Sequence, residues 1–145
     1  GKISLNKTPL SVNDIDIPTF FVSTKKDHIA PWKTTYLGFQ LMKGKKRFLL
    51  GESGHIAGII VPPGQEKYGF YHNMGCEENP DEWVEKATRR PGSWWPEWAI
   101  WLKKESGRLI TAPDFNELPL KPIMDAPGNY VHGKSQRDEG DVAFF

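Results

Sequence analysis

The chain has 145 residues, 38% of them hydrophobic and 26% charged, so it reads as one ordinary globular domain with enough apolar material for a core; disorder as a global class is excluded. A formal charge of +1 argues against a dedicated nucleic-acid binder, and no apolar run approaches the ~18–20 residues of a transmembrane segment. The single cysteine, Cys76, excludes an internal disulfide and a cysteine-built zinc site and fits a reducing cytoplasm, while the opening at Gly1, with neither Met nor signal peptide, reads as a chain cut from something longer.

Residues 2–12 alternate loosely in polarity around Lys7-Thr8-Pro9, the pattern of a short hairpin or of two edge segments. From Ile17 the contiguous Phe20-Phe21-Val22 predicts a strand covered on both faces, central and parallel in its sheet. Pro31 opens a helix with Trp32, Tyr36 and Phe39 on one face, Gly44 stops it, and residues 46–50 supply the next strand, which completes a βαβ unit. The glycine-dense turn 51–58 follows. Asn79-Pro80-Asp81-Glu82 then carries an N-cap, a proline at the first helical position and an acid at the third, so the spacing predicts a helix ending at Arg89-Arg90-Pro91. A last helix begins near Ser93 or Trp95, with Trp94, Trp98 and Trp101 on one face, Lys103 and Lys104 in its final turn and Gly107 as its stop. Those tryptophans read as core in preference to an exposed binding surface. Beyond Leu109 the chain is Pro-rich and extended, and residues 135–141 form a polar tail.

In open α/β sheets, reactive groups gather at the carboxyl ends of the strands, where loops are free and the strands are locked in the core. Asp27 and His55 each follow a predicted parallel strand by a few residues, so their loops open side by side. An imidazole held by a carboxylate is the second and third member of a nucleophile–His–acid triad. The plainer readings are a structural histidine and an aspartate that caps the helix, and spacing alone leaves both open. No nucleophile accompanies the pair. Ser53 lacks the second glycine of a G-x-[SC]-x-G elbow, while Cys76 lacks both, follows the histidine, and sits among glutamates that raise a thiol's pKa. The nucleophile is therefore expected upstream of Gly1.

Four motifs, Lys26-Asp27-His28-Ile29-Ala30-Pro31-Trp32, Gly54-His55-Ile56-Ala57-Gly58, Pro91-Gly92-Ser93-Trp94-Trp95-Pro96 and Ala126-Pro127-Gly128-Asn129-Tyr130-Val131, stand in an order that resembles the carboxy-terminal part of a class I polyhydroxyalkanoate synthase, the poly(3-hydroxybutyrate) polymerases. The resemblance implies the α/β class: the C-terminal portion of an α/β-hydrolase-like fold, truncated to the last strands and helices of a mainly parallel sheet. Residues 1–131 are then the end of the catalytic domain and residues 132–145 a flexible tail. Residues 64–79, with Cys76, depart from the family pattern.

By the same resemblance, Asp27 and His55 are the catalytic acid and histidine, and an upstream part of the enzyme carries the nucleophilic cysteine. His55 would take the thiol proton, and the thiolate would accept a 3-hydroxyacyl group from coenzyme A. Either His55 or Asp27 acting with it would then deprotonate the next hydroxyl. His28, Trp32 and Ile56 are candidates for substrate contact, His28 with a structural role as its rival. The implied partners are 3-hydroxyacyl-CoA, the polyester product and the upstream part of the same enzyme, with no nucleic acid and no transmembrane segment. No metal and no separate cofactor are implied, since coenzyme A is substrate and leaving group. An open sheet edge implies a homo-oligomer, in the cytoplasm or at the granule surface. Seven basic residues between Lys25 and Arg47 face one acid, an excess read first as a solvated helix face and second as an attractor of coenzyme A phosphates. Two rivals stand beside the synthase: an esterase or depolymerase of the same fold, and a non-catalytic dimerisation or granule-binding module.

Overall fold

The computed structural model describes residues 3–133, so all but the first two residues of the tail expected at 132–145 lie outside it. The chain divides into two compact units, Gly1–Gly107 and Arg108–Phe145. The described part of the second contains two 3-10 turns, Phe115–Glu117 and Tyr130–His132, and no strand or α-helix.

The first unit opens with a hairpin, β1 (Ile3–Leu5) against β2 (Thr8–Leu10), whose two turn residues Asn6 and Lys7 take φ of 48° and 66°. The second sheet holds β3 (Thr19–Thr24), β4 (Lys46–Gly51), β5 (Gly69–His72) and β6 (Thr88–Pro91) in that spatial order. β3 and β4 are parallel, Thr19 opposite Lys46 and Thr24 opposite Gly51, and α1 (Trp32–Leu41) joins them as predicted. The other two pairings are antiparallel.

Three expectations are corrected here. The sheet is mixed instead of mainly parallel. β3 is an edge strand of the described sheet and only partly buried, because contiguous apolar residues reveal cover on two faces but say nothing about a neighbour in the sheet plane. The helix starting at Asn79 stops early: α2 spans Pro80–Lys86, and Thr88-Arg89-Arg90-Pro91 is strand β6. Its arginines are held by acids of other elements, Arg89 by Glu52 and Arg90 by Glu97, both at 2.6 Å. The Asn79 cap itself is as read, with Oδ1 accepting the N–H of Asp81 at 2.8 Å.

Side chains alternate across the sheet and sort the helices to its two faces. On one face, α1 and α2 close the core, where Trp32, Tyr36, Phe39, Phe48, Leu50 and Trp83 are buried together. Phe48 meets Trp83 edge-on at 5.0 Å and Tyr36 at 5.1 Å between ring centroids. Tyr36 Oη donates to Glu77 O at 2.8 Å, which ties α1 to the loop leading into α2. On the other face, α3 (Trp95–Glu105) docks without burying any residue completely. Trp101 packs on Phe20, and Glu97 bridges Arg47 of β4 and Arg90 of β6, each at 2.6 Å. The expectation of core tryptophans therefore fails for α3, whose Trp98 remains 42% exposed. Among the described residues no helix is long and apolar enough to cross a membrane.

Candidate active site

The ladder between β3 and β4 runs on past the strands, since Lys25 N–H donates to Gly51 O and Lys26 N–H to Ser53 O, both at 2.8 Å. The two following loops are thereby stitched together at the carboxyl ends of the parallel pair. Asp27 comes next on one loop and His55 two residues on along the other. Asp27 Oδ2 lies 2.8 Å from His55 Nδ1, so the expected contact is present.

Asp27 does not cap α1 itself, whose N-cap position is Pro31 with no side-chain bond. Asp27 Oδ1 accepts the N–H groups of Ile29 and Ala30, both at 2.9 Å, and so closes the turn that leads into α1. One carboxylate thus orders its own loop with one oxygen and faces the imidazole with the other. The Ala30 N–H and then the His55 ring hold its pKa down at about 2, well below its ordinary 3.8. An ionised carboxylate only accepts, so the proton of the Asp27–His55 bond sits on Nδ1, and in the neutral imidazole the lone pair is then on Nε2. The His55 side chain is 47% exposed, against 7% for Asp27, which leaves the imidazole open to a reacting group.

The pH dependence follows from that depressed value. Because the folded carboxyl titrates near 2 and the ordinary one near 3.8, its contribution to stability is complete above 3.8 and disappears as pH falls toward 2. Thermal midpoints measured between these limits should fall with pH, and Asp27→Asn should flatten the slope.

The glycines around His55 serve the packing of its turn. The left-handed residue of the turn is Ser53, at φ 72°. Gly58 is required by proximity, since a Cβ there would collide with Glu52 O and Thr24 Cγ2, and one on Gly51 would press on Gly58 O. The turn carrying His55 is thus pressed directly onto the ends of β3 and β4.

The remaining candidates differ in exposure. Trp32 is 9% exposed and belongs to the aromatic core, so its burial, a consequence of its place at the start of α1, leaves little of it for substrate. His28 is exposed, and Ile56, beside His55, is 72% exposed. Cys76 is exposed in the loop before α2. Several of the seven basic residues are engaged internally: Lys33 with Asp81 at 2.6 Å, Arg47 with Glu97, and Lys46 Nζ with the carbonyls of Gln40 and Met42. Lys25 and Lys26 instead line a cleft of about 350 Å³ with Glu52, Ser53, Tyr68 and Tyr71, built on the same two loops. Tyr68 and Tyr71 were not singled out by the sequence, because the β5 segment carries no strand signal beyond Phe70-Tyr71. Among the described residues no three His, Cys, Asp or Glu side chains group to hold a metal ion.

No protein-family model matches the chain. The poly(3-hydroxyalkanoate) polymerase subunit PhaC of Cupriavidus necator is 38% identical over 136 residues, 93% of this chain and 23% of that protein. The subunit of the same name from Rhizobium etli is 39% identical over 131 residues, 90% of this chain and 21% of its own length. The poly(3-hydroxyalkanoate) polymerase of Methylorubrum extorquens is 37% identical over 93% of this chain and 22% of its own. The chain therefore spans about a fifth of the length of the curated relatives it matches.

Proposed function

Given that this chain is homologous to part of the poly(3-hydroxyalkanoate) polymerases over nearly all of its own length, we propose that it supplies the acid and the histidine of their acyl-transfer site, on the closing part of an α/β-hydrolase-like domain. The observation that carries the reading is the 2.8 Å contact between Asp27 Oδ2 and His55 Nδ1 at the carboxyl ends of parallel strands. The nucleophilic thiol belongs to a part of the enzyme that precedes this stretch.

In this reading His55 Nε2 receives the proton of that thiol, and the thiolate attacks the thioester carbon of a 3-hydroxyacyl-CoA. Sulfur replaces sulfur at the acyl carbon, and coenzyme A leaves as the thiol once it regains the proton. The hydroxyl of the next unit then attacks the enzyme thioester, loses its proton to Nε2, and releases the enzyme thiol as the ester forms. Asp27 fixes the tautomer throughout and stabilises the imidazolium. The polymer is a polyhydroxyalkanoate, and granule association and assembly of copies belong to the whole enzyme.

The test begins with the purified chain, which with 3-hydroxybutyryl-CoA should release no coenzyme A, since in this reading the thiol that carries the acyl group belongs to the preceding part of the enzyme. Release that is lost in Cys76→Ala overturns the reading. In a second arm, this chain replaces the matching fifth of the C. necator polymerase. A folded hybrid should make polymer and lose that activity with His55→Gln; equal activity with His55→Gln also overturns it.

A further inference from the structure

The turn carrying His55 is held on a side that the Asp27 contact and the glycine packing do not reach. Within turn 54–60, Gly58 N–H donates to Gly54 O at 3.0 Å, and the N–H groups of Ile59 and Ile60 donate to Ile56 O at 3.0 and 2.9 Å. At its far end, Ile59 O accepts three donors. One is Val61 N–H at 3.1 Å. The other two are indoles, Trp94 Nε1 at 3.2 Å and Trp95 Nε1 at 3.0 Å.

Two adjacent tryptophans on one carbonyl oxygen are a specific device. An indole carries its N–H at the edge of a rigid apolar body, so it can pack and donate from the same place; phenylalanine would pack without donating. Trp94 is the N-cap of α3 and Trp95 its first residue, and Ser93 Oγ accepts Trp95 N–H at 3.1 Å, which fixes the pair at the start of the helix. With Ile59, Ile60 and Trp98 they wall a cleft of about 280 Å³. Its lining side chains include no other donor that reaches Ile59 O. α3 is itself fixed to the sheet through Glu97 between Arg47 and Arg90, and through Trp101 on Phe20. A continuous mechanical path therefore runs from β4 and β6 through α3 to Ile59, and along one short turn to His55.

We propose that Trp94 and Trp95 are positioning residues for His55: their paired indole N–H groups hold the far end of turn 54–60 so that the imidazole stays on Asp27. Its functional meaning rests on the reading of His55 as the base. The positional claim is read on this chain without any activity.

The experiment is nuclear magnetic resonance on the chain with labelled histidine and aspartate, comparing the parent with Trp94→Phe, Trp95→Phe, the double variant and Trp98→Phe. In the parent, the ¹⁵N shifts of His55 should report the proton on Nδ1. The double variant should move them toward the Nε2–H form that a free imidazole prefers, and should raise the Asp27 midpoint from about 2 toward 3.8, with the β3 and β4 amides unchanged. Each single variant removes one of two donors and should give an intermediate change, which keeps the test available if the double variant does not fold. Trp98→Phe, in the same cleft without a bond to Ile59 O, should change neither readout. Unshifted His55 and Asp27 signals in both single variants, or an equal disturbance by Trp98→Phe, would overturn the proposal. Failure of the acyl-transfer reading is recognised separately, as a hybrid polymerase whose activity ignores His55.

Discussion

In a polymerase chain that also carries the nucleophile, Asp27→Asn is expected to cut turnover by about 10⁴-fold while the domain stays folded, the loss known for amide replacement of a triad carboxylate. The two roles of this residue separate cleanly in the variant. Asparagine keeps an oxygen for the N–H groups of Ile29 and Ala30, so the turn into α1 survives. Toward His55 it presents an NH₂, which donates where Oδ2 accepted. Nδ1 must then accept, the proton moves to Nε2, and the lone pair that should receive the thiol proton is gone. Asp27→Ala should be equally inactive and also less stable, because the turn loses its acceptor. Turnover of the Asn variant within tenfold of the parent, with an unchanged melting curve, would remove Asp27 from the mechanism.

The largest effect on stability is expected from Trp83→Ala, a loss of about 3–5 kcal/mol measured by urea unfolding. Trp83 is fully buried, meets Phe48 at 5.0 Å and Tyr36 at 5.7 Å, and its Nε1 donates to Gly75 O at 3.2 Å. Truncation leaves a cavity between α2 and the sheet and an unpaired carbonyl on the loop before α2. Since domains of this size hold roughly 5–15 kcal/mol in total, the variant should lose a large part of its stability and unfold at a markedly lower urea concentration. Trp83→Phe keeps most of the ring and should recover more than half of the loss. A truncation that costs under about 1 kcal/mol would mean that this cluster is not the core.

The βαβ unit was legible because its signals are local. A run of β-branched and aromatic residues, a proline, and apolar positions at i, i+4 and i+7 each act within a few residues, and α1 indeed buries Trp32, Tyr36 and Phe39. From there the meeting of Asp27 and His55 follows from topology, since parallel neighbours bring their carboxyl ends together. β6 was misread because an exposed strand with arginines at its centre has no apolar alternation; what makes it a strand is pairing with β5 and charges on Glu52 and Glu97. The edge position of β3 and the indole pair on Ile59 O were invisible for a similar reason. Both depend on partners far along the chain. Spacing left the capping role of Asp27 open, and the carboxylate closes the turn before the helix instead of capping the helix itself.

That shared carboxylate has a thermodynamic consequence. The turn it closes leads directly into Trp32, and Trp32 is rooted in the aromatic core, so the orientation of the imidazole is linked to the opening equilibrium of turn 27–30 at the entrance to α1. Whenever that turn frays, Oδ1 loses its amide donors, Oδ2 is free to wander with it, and His55 is released to the tautomer it prefers in water. The fraction of molecules with a misaligned base is therefore set by a local unfolding free energy. A substitution buried beneath α1, touching neither Asp27 nor His55, would shift that fraction and alter the rate at a distance from the chemistry.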